Sequence, residues 1–377
     1  MSRNRTYLDW NATAPLRREA RAAMLAALEA GGNPSSPHAE GRHARAILED
    51  AREEVAAFVG AGPAEVVFTS GGSEANNAVL AAGWEVILAA GVEHDSVLAP
   101  ARASGADVAE LAVDGCGILD RGRLAAALAA QAGRRALLCV QMANNETGVL
   151  QPVAEAAALA REHGIAVHSD AVQAAGRIGI ELHALGVDYL TLSAHKLGGP
   201  KGVGALIVRE GAPALPPLVA GGGQERRRRA GTENVAGIAG FAAAARAAKA
   251  DLAAMDRVRS LRDRLEAELR AVTPEAVVIA AGAPRLPNTA SVALPGASAE
   301  TLVIAFDLAG IAISAGAACS SGKVGASHVL SAMGLAPEVA RAAVRVSLGW
   351  SSTERDVAVF LAAWNRITHA AGDRRVA

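Results

Sequence analysis

The stretch Tyr189-Leu190-Thr191-Leu192-Ser193-Ala194-His195-Lys196 decides the fold. It is an apolar run that ends abruptly in a cluster of polar side chains, as is typical of a strand buried on both faces of a parallel sheet. Six more apolar runs are separated by helical segments: Val66–Thr69, Val86–Ala90, Val108–Val113, Ala136–Met142, Ile165–Ser169 and Ala205–Val208. The sequence therefore predicts an α/β fold with a mostly parallel, seven-stranded sheet.

Helical periodicity precedes this sheet in the chain. Pro15 suits the first position of a helix that ends at Gly31, and the residues at helical spacing along it are Leu16, Ala20, Met24 and Leu28. A second helix is predicted from His38 to Val59, with an apolar face formed by Ile47, Ala51, Val55 and Phe58.

A different pattern follows the sheet, after the prolines and glycines between residues 213 and 223. Two long helices are predicted at residues 234–248 and 252–271, and a last helix at residues 353–367. Weaker strands lie between them, near residues 277–280, 290–293, 311–314 and 344–348. This part of the chain reads as a smaller α+β domain.

Composition excludes several classes of protein. Apolar residues make up 51% of the 377 residues, which is enough for a large core and excludes a disordered chain. The 37 basic and 38 acidic residues nearly cancel, so direct binding of nucleic acid or of an anionic membrane is not expected. The N-terminus has no secretory signal, and no apolar run is long enough to span a membrane.

The chain has three cysteines, Cys116, Cys139 and Cys319. An odd, small number argues against a disulfide scaffold and for a reducing compartment, so we expect a cytoplasmic protein. No two of the cysteines lie at metal-binding spacing, and we expect no metal site.

A Ser/Gly turn at the end of the first apolar run is a candidate anion site. The stretch Thr69-Ser70-Gly71-Gly72-Ser73-Glu74-Ala75-Asn76-Asn77 passes from a strand into a helix. Backbone N–H groups, hydroxyls and the helix dipole at such a turn suit a phosphate. The alternative is an ordinary helix cap.

Two further strand ends carry ionisable side chains. Asp170 either caps a helix or pairs with a cation such as a protonated ring nitrogen. Lys196 is either a solvated loop residue or a partly desolvated amine capable of Schiff-base chemistry. Since ligands of α/β sheets bind beyond the carboxyl ends of the strands, the three segments together match the needs of pyridoxal 5′-phosphate (PLP).

Motifs in a fixed order reach from Tyr7 to about Ile367: Gly32-Asn33-Pro34-Ser35-Ser36, the Thr69–Asn77 stretch, Glu93-His94, Asn144-Asn145-Glu146-Thr147-Gly148, Asp170-Ala171-Val172-Gln173, Ser193-Ala194-His195-Lys196, Arg229-Ala230-Gly231-Thr232-Glu233-Asn234 and Ala317-Ala318-Cys319-Ser320-Ser321. In this combination the sequence resembles the cysteine desulfurases, in the class V branch of fold-type I PLP-dependent enzymes. The resemblance implies a large PLP-binding domain at residues 16–252. It also implies a small domain formed by residues 1–15 and 253–377.

The resemblance implies a role for each candidate residue. Lys196 would bind the cofactor covalently, Asp170 would pair with its ring nitrogen, and His94 would stack on the ring and transfer protons. The other implied cofactor contacts are Gly72, Ser73, Ser193 and His195 at the phosphate, and Asn145 and Gln173 at the ring oxygen and substrate. Arg345 would clamp the substrate carboxylate, with Asn33 nearby, because its planar guanidinium suits a carboxylate.

Several of these residues also have ordinary interpretations. His94 could begin a helix, Asn145 could form a turn before Gly148, and Arg345 could be a surface residue. Cys139 lies in an apolar run and reads as a core residue, whereas Cys116 lies in a turn and has no assigned role.

Cys319 lies in a segment of small residues, where a thiol can be accessible. Without the resemblance it could equally be a small residue in a small-residue loop. The resemblance implies that Cys319 carries sulfur as a persulfide while L-cysteine becomes L-alanine.

The resemblance also implies partners. Thr232 would reach the cofactor phosphate of the other subunit in a homodimer, and an acceptor protein of iron–sulfur cluster assembly or tRNA thiolation would receive the sulfur. The alternatives are a selenocysteine lyase, a class V aminotransferase, or a non-enzymatic PLP-binding protein. The Arg226-Arg227-Arg228-Arg229 run departs from the family pattern, and we interpret it as charge at a dimer interface or at the rim of the site.

Overall fold

A computed structural model of the chain describes residues 5–316 and 327–376. In this part the strands are β1 (Thr6–Tyr7), β2 (Val66–Thr69), β3 (Val86–Ala90), β4 (Asp107–Leu111), β5 (Ala136–Cys139), β6 (Ala166–Asp170), β7 (Tyr189–Ser193), β8 (Gly204–Val208), β9 (Val277–Val278), β10 (Thr289–Ala293), β11 (Ile311–Ala312), β12 (Ser314–Ala315) and β13 (Ala343–Ser347).

The α-helices in the same ranges are α1 (Arg18–Ala30), α2 (Ala39–Phe58), α3 (Gly72–Leu80), α4 (Asp95–Ala103), α5 (Arg121–Ala129), α6 (Val153–Glu162), α7 (Leu182–Leu185), α8 (Val235–Ala250), α9 (Met255–Val272), α10 (Ala299–Leu308), α11 (His328–Ala332), α12 (Pro337–Ala342) and α13 (Glu354–Val376). None of the helices in these ranges combines the length and apolar character that a membrane crossing requires.

The large sheet has seven strands in the order β2-β8-β7-β6-β5-β3-β4. Strand β8 runs antiparallel to its neighbours β2 and β7, while the other neighbouring pairs are parallel. The predicted mostly parallel, seven-stranded sheet is confirmed. Each of the seven apolar runs forms one of its strands.

Both faces of this sheet are buried except at its edge strand β4, which explains why the other strands lack alternation. Leu88, Leu138 and Leu190 pack into one core on one face. Their chain neighbours Ile87, Leu137 and Tyr189 pack into a second core on the opposite face. Because side chains alternate between the faces of a strand, a strand covered on both sides needs apolar residues throughout.

A smaller antiparallel sheet, in the order β12-β13-β10-β9, lies in the C-terminal part of the chain. It shares a third core with helices α9, α10 and α13, in which Phe306, Phe360 and Trp364 are fully buried. The N-terminal segment joins this core, since Leu8 is buried in it and β1 pairs with β11. The domain boundaries near residues 15 and 252 stay a prediction.

Helix α1 starts later than predicted, and the residues at helical spacing along the predicted helix are not all buried. Leu16 and Leu28 are 46% and 65% exposed, whereas Ala20 and Ala27 are buried. The helix begins at Arg18 and not at Pro15, because Arg17 is extended and its backbone N–H donates to the carbonyl of Gly198 at 2.9 Å. A tertiary contact thus overrides the local helix signal.

Candidate active site

A cavity of about 570 Å³ lies where the carboxyl ends of β6 and β7 face the N-terminal ends of α3 and α4. Ten of the predicted site residues line it: Gly72, Ser73, His94, Asn145, Asp170, Gln173, Ser193, His195, Lys196 and Arg345. The fold therefore collects at one place residues that are spread over more than two hundred positions of the sequence.

Lys196 ends a short 3-10 turn directly after β7. Its Nζ donates hydrogen bonds to the backbone carbonyls of Asn11, at 2.6 Å, and Ala12, at 3.0 Å. The amine is therefore oriented by the N-terminal segment of the chain, which crosses the end of the strand.

Asp170 is the last residue of β6 and is 8% exposed. Its Oδ1 accepts a hydrogen bond from the backbone N–H of Val172 at 2.9 Å, and its Oδ2 accepts one from Nδ2 of Asn76 at 2.8 Å. Hydrogen-bond donors thus fix both oxygens of this buried carboxylate.

His94 is the N-cap of α4. Its Nδ1 accepts a hydrogen bond from the backbone N–H of Ser96 at 3.0 Å and lies 2.8 Å from the Oγ of Ser96. Burial lowers the pKa of His94 below its ordinary value, although Asp170 acts in the opposite direction. The imidazole is therefore neutral at neutral pH.

The Ser/Gly turn after β2 forms a tightly packed cradle. A Cβ at Gly72 would lie 2.9 Å from Cγ2 of Val172 and 3.6 Å from the Cβ of Ser193, so any larger residue there would displace its neighbours. Glu74 accepts from the backbone N–H of Ser70 at 2.8 Å and forms an ion pair with Arg229 at 2.9 Å. This ion pair ties the last arginine of the four-arginine run to the cradle.

His195 lies on the same side of the cavity, where its Nδ1 is 3.1 Å from Oγ1 of Thr13. Burial, with Lys196 as the next largest cause, lowers the pKa of His195 to about 4. The imidazole is thus neutral and serves as a hydrogen-bond group.

Arg345, on β13, forms the wall that the smaller sheet contributes. Its Nη1 donates to the backbone carbonyl of Asn145 at 3.0 Å, and its Nη2 donates to Oδ1 of Asp9 at 2.7 Å. The buried Nε has no hydrogen-bond partner within the described residues. The guanidinium is thus held in place with donor capacity left over.

Comparison with known proteins decides the family. The family model of aminotransferase class-V matches residues 6–360 of the chain. The chain belongs to the class-V aminotransferase family. Its similarity to curated members of the family extends over nearly the full length of this chain and of those relatives.

Among these relatives, a cysteine desulfurase of Cereibacter sphaeroides is 44% identical over 368 residues, which is 94% of this chain and 93% of that protein. Cysteine desulfurase IscS of Dictyoglomus turgidum is 39% identical over 373 residues, 96% of this chain and 94% of that protein. This chain is also similar to the solved structure of a NifS-like protein from Rickettsia africae, with 33% sequence identity and a TM-score of 0.91. The superposition covers 97% of this chain and 100% of that chain.

The class-V family is PLP-dependent, and the residues present fit this cofactor. One cavity is lined by three matching features: a cradle without side-chain bulk at Gly72, a buried carboxylate at Asp170 and a lysine just after β7. Backbone N–H groups at a helix N-terminus suit its phosphate, the carboxylate suits its ring nitrogen, and the amine suits its aldehyde.

Three predicted site residues are not among those that line the cavity. Asn33 is exposed, and its Oδ1 accepts from the backbone N–H of Ser35 at 2.9 Å in a local turn. Thr232 is also exposed. Cys319 lies outside the described residues. The roles of these three residues stay predictions.

Sequence reasoning missed several residues that complete the site. Asn11 is 1% exposed, and its Nδ2 donates to the carbonyl of Asn145 at 3.2 Å and to Oγ1 of Thr289 at 3.0 Å. Asn76 stands inside a quoted motif but received no role. Lys201 also lines the cavity. The only sequence signal for Asn11 is its place in a polar turn next to Asp9, which many surface turns share.

Glu93, directly before His94, is fully buried. The backbone N–H of Gln141 donates to its Oε1. Burial raises the pKa of Glu93 to about 8, and the nearby charge of Asp170 adds to the rise. Glu93 is therefore mostly protonated at neutral pH.

Proposed function

We propose that the protein is a PLP-dependent cysteine desulfurase that converts L-cysteine to L-alanine and passes the sulfur on as a persulfide. One observation carries the proposal: Lys196, Asp170, His94 and Arg345 converge on a single cavity. It is supported by relatives named cysteine desulfurase at about 40% identity over nearly the whole chain.

Each of these side chains has a task that its environment suits. PLP, when bound, makes the α-carbon of an amino acid acidic and stores the released electrons. Lys196 would hold the cofactor aldehyde, and its Nζ would be the base that moves the α proton of the substrate. Asp170, whose two oxygens are fixed by donors, would pair with the ring nitrogen and keep it protonated.

Arg345 selects the substrate by its carboxylate. Asn145 and Asp9 already hold both terminal nitrogens of the guanidinium, so the substrate carboxylate meets an arginine that is oriented in advance. Pre-orientation lowers the cost of ordering the side chain when the substrate binds. Asn33 and Asn145 are proposed to contact the substrate beside it.

Cys319 is the proposed sulfur carrier. Its thiolate attacks the sulfur of the substrate, a new S–S bond forms, and the C–S bond breaks with its electrons remaining on the carbon fragment. Protonation of that fragment yields L-alanine, and Cys319 keeps the sulfur as a persulfide. An acceptor protein then takes it, either for iron–sulfur cluster assembly or for tRNA thiolation.

We propose further that the enzyme is a homodimer with shared sites. Thr232 is exposed in the chain and follows the Arg229–Glu74 ion pair that holds the phosphate cradle. From this position it would reach the cofactor phosphate of the partner subunit. A cytoplasmic location stays a prediction.

The test is turnover of L-cysteine by the PLP-loaded protein in the presence of a thiol reductant. The expected products are alanine and sulfide in equal amounts. Release of a keto acid with amination of the cofactor would instead identify an aminotransferase. Turnover restricted to selenocysteine would identify a lyase, and no product from either substrate would favour a non-enzymatic role.

A further inference from the structure

A buried chain of hydrogen bonds joins the two side chains that flank the cofactor position. Asn76, on α3, is fully buried, and its Nδ2 lies 2.8 Å from Oδ2 of Asp170 and 2.8 Å from Oγ of Ser96. The Oγ of Ser96 lies in turn 2.8 Å from Nδ1 of His94. We call these four residues, Asp170, Asn76, Ser96 and His94, the relay.

The charge of Asp170 sets the direction of every hydrogen bond in the relay. A carboxylate only accepts, so the amide of Asn76 must turn its NH₂ group toward Asp170 and not its oxygen. The opposite orientation would place the Oδ1 of Asn76 against the Oδ2 of Asp170. The observed orientation leaves Oδ1 of Asn76 without a partner among the described residues, an unfavourable arrangement that the hydrogen bond to the Asp170 carboxylate offsets.

The same NH₂ group donates its second hydrogen to the Oγ of Ser96. With this oxygen accepting from Asn76, the hydroxyl hydrogen of Ser96 is directed to Nδ1 of His94. The backbone N–H of Ser96 donates to the same Nδ1 at 3.0 Å. Two donors therefore meet at one ring nitrogen, which must carry a lone pair and no proton.

We propose that Asn76 and Ser96 are positioning residues that fix His94 in the neutral tautomer with its proton on Nε2. His94 then presents an N–H group to the cavity as a fixed hydrogen-bond donor. It takes up a second proton only if Nδ1 gives up both hydrogen bonds from Ser96. The catalytic role of this tautomer rests on the proposed function. The tautomer itself is a property of the protein and can be observed without turnover.

Charged and titratable groups around His94 are consistent with this assignment. Burial is the largest cause and lowers the pKa of His94; Lys196 and His328 act in the same direction, whereas Asp170 and Asp95 favour the protonated ring. The relay adds a geometric reason, because hydrogen bonds donated to the neutral form disfavour the charged form.

The experiment is nitrogen NMR of the full chain labelled with ¹⁵N-histidine, recorded with and without PLP. His94→Gln identifies the His94 signal among the nine histidines. The expected wild-type spectrum shows Nδ1 unprotonated and Nε2 protonated at neutral pH. In Ser96→Ala the pKa of His94 should rise by about one unit, because a hydrogen bond to the neutral form is lost.

Asn76→Ala should release the hydroxyl of Ser96 and leave only the backbone N–H of Ser96 as a fixed donor to Nδ1, so the ring shifts should move part of the way from the Nε2-protonated form toward the average of the two tautomers. Ser96→Thr keeps a hydroxyl and should retain the wild-type shifts. Ser104→Ala, at the end of α4, removes a hydroxyl that donates to the carbonyl of Ala101 and controls for a general effect on the helix.

A wild-type spectrum with Nδ1 protonated would overturn the proposal, as would unchanged His94 shifts in both Ser96→Ala and Asn76→Ala. Should Asn76→Ala not fold, the pair Ser96→Ala and Ser96→Thr decides alone. These spectra require no turnover. The proposed tautomer of His94 can therefore be contradicted while the proposed cysteine desulfurase activity is confirmed, and the activity can be contradicted while the tautomer is confirmed.

Discussion

Nη2 of Arg345 lies 2.7 Å from Oδ1 of Asp9, and the two side chains are 4% and 17% exposed. Oδ2 of the same carboxylate accepts from the hydroxyl of Ser314 at 3.0 Å. The ion pair therefore joins the N-terminal segment to β13 at the cavity wall. In the proposed function, this pair would fix the plane of the guanidinium before the substrate binds.

Replacing Arg345 with lysine should weaken cysteine binding more than it slows chemistry. An ammonium group cannot bond to Asp9, to Asn145 and to a carboxylate in one plane. Losing one charge-assisted hydrogen bond costs about 1.5–3 kcal/mol, so KM for L-cysteine should rise roughly 10- to 100-fold. Steady-state kinetics measures this, with Arg341→Lys on the exposed face of α12 as the matched control. An unchanged KM would show that Arg345 does not bind the substrate carboxylate.

Among the residues that the structure describes, two lysines line the cavity, which allows a matched test of the covalent cofactor link. Lys196→Ala should lose the bond to PLP that borohydride reduction makes permanent, because it removes the amine at the end of β7. Lys201→Ala should keep it. Mass spectrometry of digested, reduced protein reports the modified peptide. A PLP adduct that persists in Lys196→Ala would show that another residue forms the covalent link.

Cys319→Ser should retain the visible absorbance of bound PLP and lose alanine formation from L-cysteine. A hydroxyl is too weak a nucleophile toward the substrate sulfur, whereas the cofactor contacts come from other residues. Cys116→Ser is the control, since that residue lies in a turn at Asp114 and should keep wild-type turnover. Wild-type alanine formation by Cys319→Ser would contradict the sulfur-carrier role.

Gly72→Ala should weaken PLP binding at least tenfold. The added Cβ would lie 2.9 Å from Cγ2 of Val172, so the first turn of α3 would have to move away from the segment that follows β6. Spectroscopic titration with PLP gives the dissociation constant. Gly179→Ala, where a Cβ meets nothing within 4 Å, controls for the alanine itself. Partial recovery in Gly72→Ala with Val172→Ala would assign the loss to this contact.

The sequence predicts the large sheet and most of the site because both depend on local breaks in pattern. Ser193 to Lys196 and Asp170 stand out as polar groups at the ends of apolar runs, and strand ends of a parallel sheet meet at one edge. The reversed direction of β8 has no such signature, since a buried strand is apolar whichever way it runs.

Long-range contacts could not be predicted in the same way. Asn11 acts through Asn145, Thr289 and Asn288, which lie more than a hundred residues away in the sequence. Asn76 gains its place only because α3 brings it between Asp170 and Ser96. Their residue types fit a turn and a helix equally well, so only the folded arrangement reveals them.

The buried acid Glu93 makes the stability of the protein depend on pH. Its pKa is raised to about 8 in the folded chain, against about 4.3 in an unfolded one. Between these values the folded chain keeps a proton that the unfolded chain releases, so the free energy of unfolding falls as the pH rises through this window. The Glu93→Gln variant cannot titrate at this position, and its stability should therefore fall less between about pH 5 and about pH 8.

Urea unfolding of both proteins across this range measures the difference, with Glu53→Gln on the exposed face of α2 as the control. The amide oxygen introduced by Glu93→Gln can still accept the hydrogen bond from the backbone N–H of Gln141, so the fold around His94 should be preserved. If the two unfolding curves shift with pH in parallel, Glu93 does not retain its proton in the folded chain, and the raised pKa of Glu93 is contradicted.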